Sequence, residues 1–199
     1  MKQLLLLTAL CAALTVRAQE KVPAEEVQKI ARRVLEASGE TGNAQVKIAP
    51  DADKADALRA GDVGILVMPD KKLAAEALEK AGADYVAVGH LYFKGLAPVK
   101  DGSVTANDKL RFLSFDDKGN TIRIPLCLLG ARKHDGQLEL AVFGNDKTPL
   151  LHVPLRKSDR SGSVPIEISG EKRGEDAGEL TLNVLGKYEA KLIVKKQAD

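Results

Sequence analysis

Residues 61–90 read GDVGILVMPDKKLAAEALEKAGADYVAVGH. An apolar segment runs into Pro69-Asp70. A helical pattern follows and ends at a glycine, and a second apolar segment begins. That is the element order of an α/β unit. The stretch before it echoes it. Gln45-Val-Lys-Ile-Ala-Pro-Asp51 leads into DADKADALRAGDV, as Gly64-Ile-Leu-Val-Met-Pro-Asp70 leads into KKLAAEALEKAGADYV. In each copy Asp can cap a helix start and Gly can close its end. The connections suffice for right-handed crossovers between parallel strands. Residues 44–92 are therefore expected to form a β-α-β-α-β unit.

Working outward toward the N-terminus, residues 22–38 carry a helix signature. Pro23 suits the first turn. Val27, Ile30, Ala31, Val34 and Leu35 share one stripe, and Gly39 can stop the helix. Before it stands MKQLLLLTALCAALTVRAQE. Lys2 is a basic n-region, Leu4 to Val16 an apolar run, and Val16-Arg17-Ala18 a small-residue cleavage pattern. The run is shorter than the roughly 20 apolar residues of a membrane span. Residues 1–18 thus read as a signal peptide with cleavage near Ala18/Gln19. A lipid anchor at Cys11 is the competing reading, and Leu10 stands where a small residue is wanted. Periplasmic or secreted localisation is the expectation. A bacterial origin is favoured, because the chain has no Asn-x-Ser/Thr sequon. No later stretch is long and apolar enough for a transmembrane helix.

The chain has 30 basic and 28 acidic residues. Lys2 and Arg17 lie in the leader with no acid beside them, which leaves 28 of each sign from residue 19 onward. A neutral chain without Trp, and with only 3 Tyr and 4 Phe, has neither the charge nor the stacking surface of a nucleic-acid binder. Beyond the leader Cys127 stands alone, so no disulfide is expected and a core must hold the fold.

Toward the C-terminus the texture changes after Lys94. Short apolar segments alternate with turns: 109–116, 121–129, 137–143, 149–156, 163–168, 179–185 and 188–195. Seven such segments suggest an antiparallel sandwich. Pro125, Pro154 and Pro165 interrupt three of them. Proline belongs at edges and bulges, which a sandwich has and a closed barrel lacks. Leu180, Leu182 and Val184, then Tyr188, Ala190, Leu192 and Val194, mark a hairpin turning at Gly186-Lys187. Leu185 and Ile193 break the outward polar pattern, as if that face were partly covered.

No catalytic motif emerges. The turn Met68-Pro69-Asp70-Lys71 is a poor phosphate cradle, since Pro69 removes an amide and Asp70 adds a negative charge. Capping explains Asp70. His90 ends an expected strand, where α/β folds gather ligands; a partly buried histidine with a backbone partner is the plainer reading. His134 sits in a turn, and His152 has no assigned role. Cys127, among Pro125, Leu126, Leu128 and Leu129, reads as a small core residue. Asp51, Asp53 and Asp56 start like a calcium loop, but the later Gly and Glu are missing. No cofactor or metal is expected.

The fold class expected is α+β: an N-terminal helix and β-α-β-α-β unit over 19–95, then an antiparallel β-sandwich over 96–199, as two domains or one shared core. The function expected is an exported, non-catalytic binding or structural module whose partner is a protein or another envelope component. The alternatives are a small-ligand protein using a crevice near Asp70 and His90, and a hydrolase whose residues converge only in three dimensions.

Overall fold

The computed structural model describes residues 20–38, 45–117 and 120–197. The expected signal peptide, its cleavage point and Gly39 lie outside these residues.

Apolar runs from the N-terminal half and alternating segments from the C-terminal half build two antiparallel sheets. Along the chain come β1 (Glu20–Lys21), α1 (Ala24–Ser38), β2 (Asp56–Ala60), β3 (Val63–Pro69), α2 (Ala75–Glu79), β4 (Val86–Lys94), β5 (Leu96–Lys100) and β6 (Ser103–Val104). Then follow β7 (Arg111–Asp117), β8 (Asn120–His134), β9 (Gln137–Phe143), β10 (Leu151–Pro154), β11 (Arg156–Lys157), β12 (Ile166–Lys172), β13 (Ala177–Val184) and β14 (Tyr188–Lys196). Sheet 1 runs β1-β2-β3-β4-β8-β9-β10, with β7 beside β8 as well. Sheet 2 runs β12-β13-β14-β5-β6, with β11 on β14.

The parallel β-α-β-α-β unit is not formed. Asp56–Ala60, expected within a helix, is strand β2, and it turns at Gly61-Asp62 into antiparallel β3. Two residues cannot carry a crossover, so β2 and β3 can pair only as a hairpin. β4 also pairs antiparallel with β3, placing Met68 opposite His90. Of the expected first strand, only a single bridge between Pro50 and Asp70 remains. Of the two expected helices, one is a single 3-10 turn over Ala52–Lys54 and the other the five-residue α2.

Three layers result. Between the sheets lies a core that includes Val67, Leu91, Phe93, Cys127, Leu129 and Val142 from sheet 1, with Ile166, Leu182, Val184, Ala190 and Leu192 from sheet 2. The other face of sheet 1 presents Leu66, Met68, Tyr92, Leu128 and Phe143, and α1 covers it with Val27, Ala31 and Val34. The expected helix over 22–38 is thus present, although Ile30 is 39 % exposed rather than in the stripe's core. Residues on both sides of 95 enter the same sheet, since β4 pairs with β8 over Val86 to Tyr92.

The chain passes between the sheets three times, at β4–β5, β6–β7 and β10–β11, and the first and last passages are tight corners. Gly95, at φ +65, turns β4 into β5, a backbone conformation that costs glycine little. Leu155, 4 % exposed, turns β10 into β11. At the β12 edge a side-chain clamp joins the sheets. Asp56 Oδ2 accepts from the Ile168 amide at 2.9 Å and from Lys21 Nζ at 2.6 Å. An edge strand's outward amide is thereby taken, which closes that position to strand addition.

The C-terminal hairpin forms as expected, with Val184 opposite Tyr188. Leu185 does not point outward. At φ +57 it sits in the turn and packs against the inter-sheet core. Two of the prolines mark edge strands, and the third marks the end of one of the ladders of β8. Pro154 is on edge strand β10, Pro165 precedes edge strand β12, and Pro125 is the first β8 residue past the end of the β4 pairing at Leu126.

Candidate functional site

Asp70 and His90 come together on the α1-facing side of sheet 1. β3 carries Asp70 just past Pro69, and β4 carries His90 opposite Met68. The close pairing depends on Gly89: a Cβ there would lie 2.4 Å from the Met68 carbonyl oxygen. Both residues are enclosed, Asp70 at 7 % and His90 at 2 % exposure.

Asp70 is not the cap of α2, whose N-cap is Ala74. Its carboxylate accepts from the Ala49 amide at 2.7 Å and from the Lys72 amide at 2.8 Å. It therefore ties the segment before the 3-10 turn to the end of β3. The expected capping of a helix start by Asp70 is thus replaced: the amides it holds belong to a turn and to a neighbouring segment.

His90 Nδ1 lies 3.0 Å from the Tyr92 hydroxyl. That hydroxyl lies 3.4 Å from Ser38 Oγ, which donates to the Val34 carbonyl at 2.6 Å. A buried polar chain thus links β4 to the last turn of α1. His90 Nε2 has no partner among the described residues. Burial pushes the imidazole down to about 4; the Arg111 charge pushes the same way and Asp70 opposes. Burial also raises the Tyr92 phenol to about 12, against the Ser38 hydrogen bond. At neutral pH both groups are uncharged. The chain can orient α1 on the sheet.

A second polar group stands on β8, β9 and β10. Glu139 Oε1 accepts from Arg132 Nε at 2.7 Å and meets His152 Nδ1 at 2.9 Å. Burial pushes the Glu139 carboxyl up, yet the Arg132 hydrogen bond and charge, aided by His152, outweigh it and hold it below its ordinary value. Arg132 also lies over the Tyr85 ring, 4.9 Å from its centroid. Sequence spacing could not pair Glu139 with His152, because β9 and β10 join them only across the sheet.

The aspartates of the calcium-like stretch separate. Asp51 accepts from the Asp53 amide, Asp53 pairs with Arg32, and Asp56 joins the inter-sheet clamp. Cys127 is fully buried and its thiol is pushed up to about 12 by that burial, so it is not a thiolate at neutral pH.

The concavity that the sequence did not signal is at one end of the sandwich. The β2–β3 turn of sheet 1 and the β12–β13 turn of sheet 2 stand side by side there. Between them opens a groove of about 310 Å³. Its floor includes Leu58, Ile65, Leu96, Leu180 and Val194, the margin of the inter-sheet core. Charges ring its mouth. Arg59 is paired with Glu26, and Glu179 with Arg173 and Lys191. Asp62, Lys172, Glu175, Asp176 and Lys196 also line it and make no ion pair among the described residues. An apolar floor with a polar rim can take an apolar group and orient it.

Comparison with protein-family models, with curated proteins and with solved structures returns no match.

Proposed function

We propose that this protein is an exported, non-catalytic binding module that grips another macromolecule through the groove between the two hairpins. The observation that carries the reading is the groove itself, about 310 Å³ with an apolar floor and rim charges left without ion partners among the described residues. A partner's apolar side chain would lose water on entering, and the rim charges would select its orientation. Interfaces anchored this way combine a desolvated centre with a polar margin. Export is supported by residues 1–18 as read from sequence. An intact mass that retains Met1 in protein from the producing cells would remove that half of the reading.

Photo-crosslinking tests the binding half. A photoreactive residue replacing Ala177, on the groove, is expected to give a discrete macromolecular adduct in producing cells. The same residue replacing the distant Lys133 is expected to give none. Ala60→Trp, which fills the groove, should abolish the adduct. Loss of labelling specificity, with Ala177 and Lys133 behaving alike, counts against the proposal.

A second reading has one observation in its favour. The groove floor is continuous with the core, so it also suits a small apolar ligand. Native mass spectrometry separates the two: a copurifying species of a few hundred daltons, displaced by Ala60→Trp, selects the small-ligand reading.

A further inference from the structure

The inward positions of sheet 2 form cross-strand rows. Ile166 pairs with Val184 and Ile168 with Leu182, and all of them are buried in the inter-sheet core. In the next row Gly170 pairs with Leu180, and in the last Lys172 pairs with Gly178. Two glycines and a lysine thus stand where the pattern calls for apolar side chains. The core ends here because the side chains that would continue it are missing. Within 4 Å, a Cβ at Gly178 would meet only the Glu171 carbonyl oxygen at 3.3 Å and a Val194 methyl at 3.8 Å. The groove of about 310 Å³ holds this vacancy, and Gly170, Lys172 and Gly178 line it.

The vacancy also opens along a strand edge. β12 ends sheet 2, and no strand of the described residues lies beyond it. The Ile168 amide points away from β13, since it donates to Asp56. Backbone direction alternates along a strand, and β12 pairs with β13 in unbroken register. Gly170 and Lys172 therefore turn their N–H and C=O groups outward as well. Asp56 closes the edge at Ile168; past it these two residues leave two donors and two acceptors with no strand partner, beside the vacancy. The rim charges differ along the groove. Arg59 and Glu179 are ion-paired. Asp62, Glu175 and Asp176 on the two turns, and Lys172 and Lys196 on strands, are not, among the described residues. The unpaired acids exceed the unpaired bases, and all of these acids are on the turns.

We propose that the groove takes an extended segment of a partner protein, which pairs with β12 at Gly170 and Lys172 and lays one apolar side chain over Gly170 and Gly178. The inference rests on the groove being the binding site and adds the form of what enters it. In strand addition, backbone hydrogen bonds supply affinity and the side chain that meets a pocket supplies specificity. A small apolar ligand would fill the vacancy but leave the outward groups of β12 to water. Charge selects the residue beside the turns: a basic side chain there meets Asp62, Glu175 and Asp176, and an acidic one is repelled.

Selection of displayed random dodecapeptides against the whole protein supplies the probe, and the enriched peptide is synthesised for calorimetric titration. It is expected to carry a large apolar residue with a lysine or arginine near it, and to lose binding in Ala60→Trp. N-methylation of single peptide amides around the apolar residue should weaken binding about tenfold at alternate positions, as loss of a backbone hydrogen bond does, and little at those between. Lys172→Pro removes one outward donor from an edge strand, where proline is tolerated. It should bind about tenfold more weakly than Lys172→Ala, which loses the charge and keeps the amide. Amide hydrogen exchange at Gly170 and Lys172 should slow on saturation, a reading that needs no variant. A peptide that Ala60→Trp excludes, yet that tolerates N-methylation at every position and leaves Gly170 exchange unchanged, overturns the strand pairing while the groove reading stands. Failure to enrich any peptide sensitive to Ala60→Trp also overturns it, and the crosslink at Ala177 then decides the groove reading separately.

Discussion

Sheet 1 is covered on both faces, by sheet 2 on one side and by α1 on the other. Sheet 2 is covered on one face, and only residues 158–163 cross part of the other, through Ser158 on Lys187 and Arg160 on Asn183. The strands record the difference. In sheet 1, β3 buries Ile65, Leu66, Val67 and Met68 in succession, and β8 buries Leu126 to Ala131 without interruption. In sheet 2, β14 alternates, burying Tyr188, Ala190, Leu192 and Val194 while Glu189, Lys191, Ile193 and Lys195 are not buried. Two-sided burial removes the polar half of the pattern; one-sided burial keeps it. It also decides where polar chemistry can stand. Within sheet 1, His90 and Tyr92 must be neutral and bonded to each other. On sheet 2, carboxylates remain charged at the surface.

Substitutions can break this contrast, and their expected effects descend in order. Leu128→Lys, at a position 1 % exposed beneath α1, places an unpaired charge in the second core and should cost more than about 4 kcal/mol. Loss of the cooperative unfolding transition is the readout, and a folded variant of normal stability would show that α1 does not seal that face. Leu182→Ala, fully buried in the inter-sheet core, should cost on the order of 2–5 kcal/mol in chemical denaturation.

The third test uses pH. The His90 imidazole sits near 4 in the folded protein against 6.5 in the unfolded chain. Between those values the unfolded state binds the extra proton. Stability from this group is therefore complete above pH 6.5 and is lost as pH falls toward 4, by about 3 kcal/mol in all. Unfolding free energies of the wild type and of His90→Gln, measured across this window, should diverge by that amount. Parallel curves would mean that His90 is solvated. Fourth, Asp70→Ala removes two amide bonds and should cost about 1–3 kcal/mol, while Asp70→Asn, which keeps one acceptor oxygen, should cost less. Equal losses would refute the double-acceptor role. The smallest effect belongs to sheet 2's outer face. Ile193→Lys, at a position 39 % exposed, should change stability by no more than about 0.5 kcal/mol.

The same contrast explains what could be read from sequence. The C-terminal strands were legible because each shows its buried and exposed sides by turns, so the β13–β14 hairpin and its turn could be placed from Leu180 to Val194. Helix α1 was legible from Val27, Ala31 and Val34. Within sheet 1 only β3 and β4 read as strands of a parallel sheet, because continuous apolar runs look the same whether helices or a second sheet cover them. The alanines of DADKADALRA suggested a helix, and only pairing with β3 makes Asp56–Ala60 a strand. Asp70 and His90 could be singled out, but not their mutual placement, which comes from the β3–β4 register. The groove and the Glu139–His152 pair left no local signal, since each joins residues that only the sheet brings together.

The position of β14 in sheet 2 has a kinetic consequence. It lies between β13 and β5, and its Val194 pairs with Pro98. During synthesis β5 emerges from the ribosome long before β14, and it has no neighbour on that side until β14 arrives. Loop-closure entropy makes such distant pairings slow, so joining the two ends of this sheet is a late step of folding. A nascent chain halted before residue 188 should therefore stay open to protease at β5, and release of the full chain should be followed by a delayed gain of protection.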